Sequence, residues 1–140
     1  MKAKKPKTDK AKAKNKLDEA CKKYIKARDG HKCVICGAEY TISPKGRKAG
    51  VHWGHFLAKN RLAMRWNEIN IHAQCSRCNF MHESSCVPYY QWMEERYGVR
   101  VMDILHEQWF NSKGTSFSIK EIEVMTLHYK VKLAKLKEVL

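Results

Sequence analysis

The first helical pattern in the chain begins at Leu17. Its apolar positions repeat every three or four residues and lie on one face: Leu17, Ala20, Cys21 and Tyr24. This spacing predicts an amphipathic helix that ends at Asp29-Gly30, because glycine readily adopts the left-handed backbone of a helix C-terminus. Residues 1–16 lack an apolar stripe and are mostly Lys and Ala, so we predict a disordered basic arm there.

The C-terminal part of the chain is also patterned as helices. Pro88 suits the first turn of a helix that stops at Gly98, and a shorter helix is predicted at about residues 101–109. Ser118 and Glu121 form a capping box at the start of the last helix. The apolar stripe of that helix consists of Ile122, Met125, Tyr129, Leu133, Leu136 and Leu140. This stripe either closes the domain or pairs with a second chain, and the pattern does not decide between the two.

Between these helices the pattern changes to short apolar runs. Val51–Phe56 and Asn70–Gln74 are predicted to be strands, and residues 57–69 between them form an irregular basic loop. The second strand leads directly into a helix that opens at residues 75–78. The order strand, loop, strand, helix, with further helices on both sides, predicts an α+β fold.

The charge of the chain narrows the class of partner. Its 140 residues include 28 Lys+Arg and 14 Asp+Glu, a formal net charge of +14, which indicates a polyanionic partner, most often nucleic acid. A charge excess that only aids solubility is the alternative. No apolar run approaches the roughly 20 residues that span a bilayer, and the basic start is not followed by the apolar segment of a secretory signal. We therefore expect a cytoplasmic protein without membrane association.

Four of the six cysteines form two C-x-x-C pairs, Cys33 with Cys36 and Cys75 with Cys78. Two residues between cysteines let one tight turn direct both sulfur atoms at one ion, and two such turns complete the tetrahedron that zinc prefers. Without an export signal, a disulfide framework is not expected. Because four thiolates leave no open position for water, we predict one structural Zn²⁺ per chain that takes no part in catalysis.

The residues beside the cysteine pairs carry a second motif. His55 ends the first strand, Asn70 starts the returning strand five residues before the second pair, and Asn79 follows that pair directly. This order is similar to the HNH, or ββα-metal, nuclease motif. The longer string from Gly54 to Asn79, nested inside a four-cysteine site, resembles the NinG/Rap family of phage recombination proteins over about residues 33–96. The resemblance implies a zinc-stapled treble-clef ββα-metal core with a preceding helix and a mainly helical C-terminal region.

The resemblance also implies a role for each motif residue in phosphodiester hydrolysis. An imidazole can take a proton from water near neutral pH, and by resemblance to HNH enzymes His55 is the general base. Asn70 would hold that imidazole by a hydrogen bond. Asn79 would bind a single divalent cation that stabilises charge at the scissile phosphate. A set of oxygen ligands suits Mg²⁺ or Mn²⁺.

The sequence departs from the HNH pattern at one position. Many HNH enzymes carry Asp or His directly before the base as a second metal ligand, whereas this chain has Gly54. His52 lies two residues earlier on the same face of the strand and is the first candidate to replace that ligand. His82 and Glu83 follow Asn79 by three and four residues and share its helix face, so both remain further candidates.

The surrounding basic residues and the family resemblance extend the prediction to a substrate. Arg61, Arg65 and Arg77 flank the proposed cleft, so we predict that they bind DNA phosphates. The implied activity is that of a metal-dependent DNA endonuclease. The family resemblance adds branched recombination intermediates, such as Holliday junctions and D-loops, as substrates. Because symmetric cutting of a junction needs two sites, we expect a homodimer.

These expectations define one nuclease domain at residues 17–140, with the zinc-stapled core at about 31–83 and a helical extension at about 84–140. Two alternatives remain. An HNH nuclease that cuts duplex DNA would have the same site and a different substrate. A non-catalytic treble-clef module that only binds nucleic acid would need the cysteines and the basic face, but neither His55 nor Asn79.

Overall fold

The computed structural model describes residues 3–139. Its helices are α1 Asp9–Arg28, α2 Leu62–Arg65, α3 Ser76–Ser84, α4 Val87–Tyr97, α5 Val99–Asn111 and α6 Ile119–Val139. Its strands are β1 Thr41–Ile42, β2 Lys48–Ala49, β3 His52–His55 and β4 Ile71–Gln74. The α+β class predicted from the sequence is confirmed. Within the described range, no helix combines the length and the apolar character that crossing a bilayer requires.

Helix α1 begins at Asp9, well before the start predicted at Leu17. Thr8 caps it, because the Thr8 hydroxyl oxygen accepts a hydrogen bond from the Ala11 N–H at 3.2 Å. The Lys and Ala residues that follow are strong helix formers, and Asp9 in the first turn suits the helix dipole. The disordered arm predicted for residues 1–16 is therefore wrong from residue 9 onward. Residues 3–8 lack regular structure, and residues 1–2 lie outside the described part.

The chain divides into two compact units. One unit contains the residues up to Tyr24 and those from Phe117 on, and the other contains Ile25–Ser116. In the first unit α1 and α6 share a core in which the rings of Tyr24 and Tyr129 lie 5.7 Å apart. Helices α4 and α5 belong to the second unit, which also contains strands β1 to β4.

The capping box predicted at the start of α6 is confirmed. The Ser118 N–H donates to the Glu121 carboxylate at 2.7 Å, and the Glu121 N–H donates to the Ser118 hydroxyl at 3.2 Å. Ile122 and Tyr129 are buried as the predicted stripe requires, and Thr126 is buried with them. The last residue of that stripe, Leu140, lies outside the described residues.

In the second unit, β3 and β4 form an antiparallel hairpin that leads into α3. Its register pairs His52 with Gln74 and His55 with Ile71. The loop between the strands packs on α4 and α5 through one apolar cluster, which consists of Phe56, Met64, Tyr89, Met93, Met102 and Leu105. This cluster explains why α4 and α5 belong to the same unit as the hairpin.

A charged clamp joins the end of α1 to strand β4. The Arg28 guanidinium donates two hydrogen bonds to the Asp29 carboxylate, at 2.8 and 2.9 Å. It also donates to the backbone carbonyls of Glu68 and Ile71, at 2.8 and 2.7 Å. Asp29 in turn accepts the Ala73 N–H at 2.8 Å. Because charge-assisted hydrogen bonds are stronger than neutral ones, this clamp fixes β4 relative to the end of α1.

Candidate functional site

The four predicted zinc ligands converge on one point. The sulfur atoms of Cys33, Cys36, Cys75 and Cys78 all lie within 4.8 Å of one another, and only Cys36 is exposed. Gly37, at φ +78°, allows the tight turn after the first pair, and its N–H donates to the Cys33 carbonyl at 2.8 Å. Among residues 3–139, no other set of three or more His, Cys, Asp or Glu side chains converges in this way.

The protonation chemistry of this cluster fits a divalent cation. Burial raises the pKa of Cys75 and of Cys78, because a thiolate loses hydration there. At Cys36 burial acts in the same direction, but hydrogen bonds from the Ala38 backbone and the neighbouring thiols outweigh it and lower the pKa to about 7. Four thiolates so close together need a compensating positive charge. The cluster can therefore hold a zinc ion, whose preferred structural ligands are four such sulfurs.

Next to the cysteine cluster, α3 and the end of β3 form two walls of a cleft of about 490 Å³. The polar and aromatic side chains that line it are Trp53, His55, Phe56, Lys59, Asn60, Asn79, His82 and Glu83. His55 is half-buried, and its ring packs edge-on against Trp53, with 4.7 Å between ring centroids. The cleft thus contains two of the residues predicted to act in catalysis or metal binding, together with two of the three candidates for the missing ligand.

The His55 ring is oriented by the loop between the strands. Its Nε2 lies 2.9 Å from the backbone carbonyl of Arg65. Because a carbonyl can only accept, Nε2 carries the proton, and in the neutral ring Nδ1 carries the lone pair. That tautomer is the one a general base working through Nδ1 requires.

The sequence predicted that Asn70 holds the imidazole by a hydrogen bond. In the structure its hydrogen bonds go to the loop backbone instead. Its buried amide accepts the Leu57 N–H at 2.8 Å and donates to the carbonyls of Leu57 and Met64 at 3.0 and 3.2 Å. Met64 directly precedes Arg65, whose carbonyl holds His55. Asn70 therefore positions His55 through the loop backbone, since its short amide reaches the two ends of the loop and not the ring.

His52 lies outside the cleft that contains His55 and Asn79. Its Nε2 lies 3.0 Å from the Ser76 hydroxyl, and it is not among the residues that line the cleft. On a strand, successive residues face opposite sides, so Trp53 and His55 face the cleft while His52 and Gly54 face away from it. That His52 replaces a ligand at position 54 stays a prediction.

Packing explains why a glycine occupies position 54. A Cβ atom at this position would lie 1.9 Å from Oε1 of Gln74, whose side chain crosses the space. Gln74 is 1% exposed, and neither of its amide atoms has a hydrogen-bond partner among the described residues. The glycine therefore makes room for a buried amide.

Two candidates on α3 remain in the cleft. His82 donates from Nε2 to the Phe56 carbonyl at 2.8 Å, and its Nδ1 is buried without a partner in the described part of the chain. Glu83 is exposed, and its carboxylate forms no hydrogen bond or ion pair within the described part of the chain. It lies one helical turn after Asn79, which places both oxygen-bearing side chains on one face. Asn79 with Glu83 is thus the pair best suited to a hard cation.

The family of the chain follows from comparison with known proteins. The family described as Bacteriophage Lambda NinG protein matches residues 1–138. The chain belongs to the NinG family. No solved structure matches it.

Two phage proteins show the extent of this similarity. The chain is 29% identical to "Protein ninG" of Salmonella phage P22 over 121 residues, which cover 86% of this chain and 55% of that protein. It is 30% identical to "Protein ninG" of Escherichia phage lambda over 120 residues, which cover 85% of this chain and 54% of that protein. The chain spans about half the length of these relatives.

None of the three arginines predicted to bind DNA lines the cleft itself. The Arg61 guanidinium stacks over the Trp109 ring at 4.4 Å, and that of Arg65 lies 5.6 Å from the Trp53 ring. Arg77 is exposed on α3, between the second pair of cysteines. Lys59 and Asn60, which the sequence analysis did not select, line the cleft itself. Their place in the basic loop is the signal that could have identified them.

His72, to which the sequence assigned no role, is the centre of a buried hydrogen-bonded chain. The Tyr89 hydroxyl donates to the Gly54 carbonyl at 3.1 Å, so it accepts from Nδ1 of His72 at 2.8 Å. The Tyr97 hydroxyl then donates to Nε2 at 2.7 Å. Burial, with smaller effects from Arg28 and Arg96, lowers the His72 pKa to about 2. His72 is therefore a neutral structural residue that ties the hairpin to α4.

Proposed function

We propose that this NinG-family chain is a metal-dependent DNA endonuclease of the HNH type, built on a zinc-stapled treble-clef ββα-metal core. The observation that carries the proposal is the cleft in which His55, held by a backbone carbonyl, is joined by Asn79 and Glu83. The hairpin that leads into α3 and the four-thiol cluster beside it support the same assignment.

In the proposed reaction, His55 removes a proton from the attacking water through Nδ1. The Arg65 carbonyl accepts a hydrogen bond from the Nε2–H group. This bond fixes the ring and stabilises the imidazolium that forms. Asn70 keeps that carbonyl in place by its hydrogen bonds to Leu57 and Met64. Trp53 packs against the ring and limits its rotation.

Asn79 and Glu83 would hold the catalytic cation, and their oxygen atoms suit Mg²⁺ or Mn²⁺. When bound, such a cation stabilises negative charge on the phosphate and on the leaving oxygen. His82 contributes through its hydrogen bond to the Phe56 carbonyl, which fixes the backbone next to His55. Lys59, at the cleft, binds a phosphate next to the one that is cut.

The proposed substrate is branched recombination DNA, and the net charge of +14 supports a nucleic acid partner. Arg61, Arg65 and Arg77 bind phosphates around the cleft. Each guanidinium of the first two is held over an indole ring, which limits its freedom before DNA binds. The protein acts as a homodimer in the cytoplasm of the host cell, because cutting a junction symmetrically takes two sites.

The test is cleavage of four-way junction, flap and linear duplex DNAs of matched sequence, with Mg²⁺ or Mn²⁺ titrated into zinc-loaded protein. We expect metal-dependent cleavage of the branched substrates before the duplex. Glu83→Gln and Asn79→Ala should shift the metal titration to higher concentration, while His52→Gln, on the opposite face of β3, leaves it in place.

Two other results would each select an alternative. Equal rates on all three DNAs identify a nuclease that acts on duplex DNA. Salt-sensitive binding without cleavage at any metal concentration identifies a module that only binds nucleic acid.

A further inference from the structure

Helix α6 carries two apolar stripes, and only one of them is buried. Ile122, Thr126 and Tyr129 face the core that α6 shares with α1. On another face, Val124 is 64% exposed, Leu127 is 62% exposed and Val131 is 43% exposed. Such a row of large apolar side chains in water is costly, and contiguous exposed apolar surface commonly marks an interaction site.

The exposed stripe has the spacing of a helix-pairing seam. Val124, Leu127, Val131 and Ala134 follow one another at intervals of three, four and three residues, which is the heptad rhythm of two helices packed side by side. All four residues lie within the single uninterrupted helix α6. The stripe therefore fits another helix better than it fits a flat surface or a nucleic acid.

The charges beside the stripe identify the partner and its direction. The first third of α6 carries Lys120, Glu121 and Glu123, and the last third carries Lys135, Lys137 and Glu138, so the two ends have opposite net charges. All six side chains are exposed. A second copy of α6 that runs antiparallel would bring the acidic end of each helix against the basic end of the other. A parallel copy would bring like charges together.

We propose that α6 is a homodimer interface in which two copies of this chain pair antiparallel about a two-fold axis near residue 129. Leu127 of one copy packs on Val131 of the other, and Val124 packs on Ala134. Along the edges, Glu121 lies beside Lys135 of the second copy, and Glu123 lies beside Lys137. Near the axis Lys130 lies opposite its own copy, where its long stem lets the ammonium group reach solvent.

This pairing stands on the pattern of α6 alone and does not depend on the proposed nuclease activity. It supplies the two copies that symmetric cutting requires. It also uses a surface in a different compact unit from the one that contains the cleft.

A charge-swap series of the full chain tests both the interface and its direction. Two variants are made, E121K/E123K and K135E/K137E, together with the fourfold variant that combines them. K45E/K113E, with the same charge change as the second variant at exposed positions outside α6, is the control. Sedimentation equilibrium gives the mass against the 16.4 kDa of one chain, and circular dichroism checks that each variant keeps its helices.

We expect the native chain, the control and the fourfold variant to sediment at twice the single-chain mass. Each double variant alone should dissociate with a dissociation constant raised at least about tenfold. An equimolar mixture of the two double variants should regain the double mass, because the basic edges of one variant then lie beside the acidic edges of the other. Direction is reported by the double variants alone, since only antiparallel pairing makes them differ from the native and fourfold chains. Leu127→Glu, at an exposed position, should give a folded monomer.

Three results would overturn the proposal. The first is a native chain that remains monomeric at high micromolar concentration. The second is a dimer that survives both double variants and Leu127→Glu. The third is a loss of DNA affinity in K135E/K137E with no change of mass, which would assign the basic end of α6 to nucleic acid.

Discussion

Acid should destabilise the folded chain through His72. In the folded state this ring is 1% exposed, and its pKa is lowered from 6.5 to about 2. Both ring nitrogens are already used by Tyr89 and Tyr97, so protonation of Nε2 would break the hydrogen bond that the Tyr97 hydroxyl donates to it. The unfolded chain binds that proton below pH 6.5, whereas the folded chain does not until about pH 2. Stability therefore falls as the pH drops below 6.5.

The size of the effect follows from the pKa difference. Each pH unit below the unfolded pKa costs about 1.4 kcal/mol until the folded pKa is reached. Between pH 7.5 and pH 5.0, His72 alone should lower the free energy of unfolding by about 2 kcal/mol. The assay is urea unfolding followed by circular dichroism at several pH values in this range, with zinc present throughout.

His72→Gln is the matched variant, because glutamine keeps polar contacts but does not titrate. Protonation of the cysteine thiols affects both proteins alike, so the difference between their pH dependences isolates His72. The variant should be less stable at pH 7.5 and lose about 2 kcal/mol less on acidification. Equal losses in the two proteins would show that His72 is not held neutral by its two tyrosines.

Three further predictions concern single positions. Cys78→Ser should reduce bound zinc below one ion per chain and unfold the core, whereas Cys86→Ser, at an exposed residue outside the cluster, should leave both unchanged in metal analysis and thermal melts. Gly54→Ala should lower the free energy of urea unfolding by on the order of 1 kcal/mol, because the added methyl group displaces the Gln74 amide. Adding Gln74→Ala should recover part of the loss. A Gly54→Ala protein as stable as the native chain would contradict the packing argument. Asn70→Ala should lower the free energy of unfolding by about 1–3 kcal/mol, because it leaves the Leu57 N–H and two carbonyls without partners. An unchanged unfolding midpoint would show that the Asn70 hydrogen bonds to the loop do not stabilise the fold.

The features that could be predicted from the sequence are those fixed over short distances. The C-x-x-C turns and the capping box at Ser118 depend on residues three positions apart, so their local geometry followed from spacing alone. The apolar runs of β3 and β4 likewise gave the hairpin, and the second cysteine pair, which spans the start of α3, placed Asn79 in its first turn. The cleft follows from these local elements.

The features that could not be predicted from the sequence depend on contacts between distant segments. The partner of His72 is a tyrosine pair on α4, which no local pattern reveals. The direction of His52 depends on which face of the hairpin the cleft occupies. Asn70 was assigned to the ring because both belong to one motif, but its hydrogen bonds go to the loop that separates the two strands. The early start of α1 rests on the Thr8 cap, outside the apolar stripe used to find the helix.

The most direct test of the nuclease assignment is the single-turnover rate of junction cleavage by His55→Ala compared with His52→Ala. The two histidines lie on one strand but face opposite sides of it, so the pair separates loss of the base from a general effect on the hairpin. With DNA affinity unchanged, we expect His55→Ala to lower the rate by about 10² to 10⁴ and His52→Ala to leave it nearly native. Equal rates for His55→Ala and the native protein would contradict the account and remove the active site from this cleft.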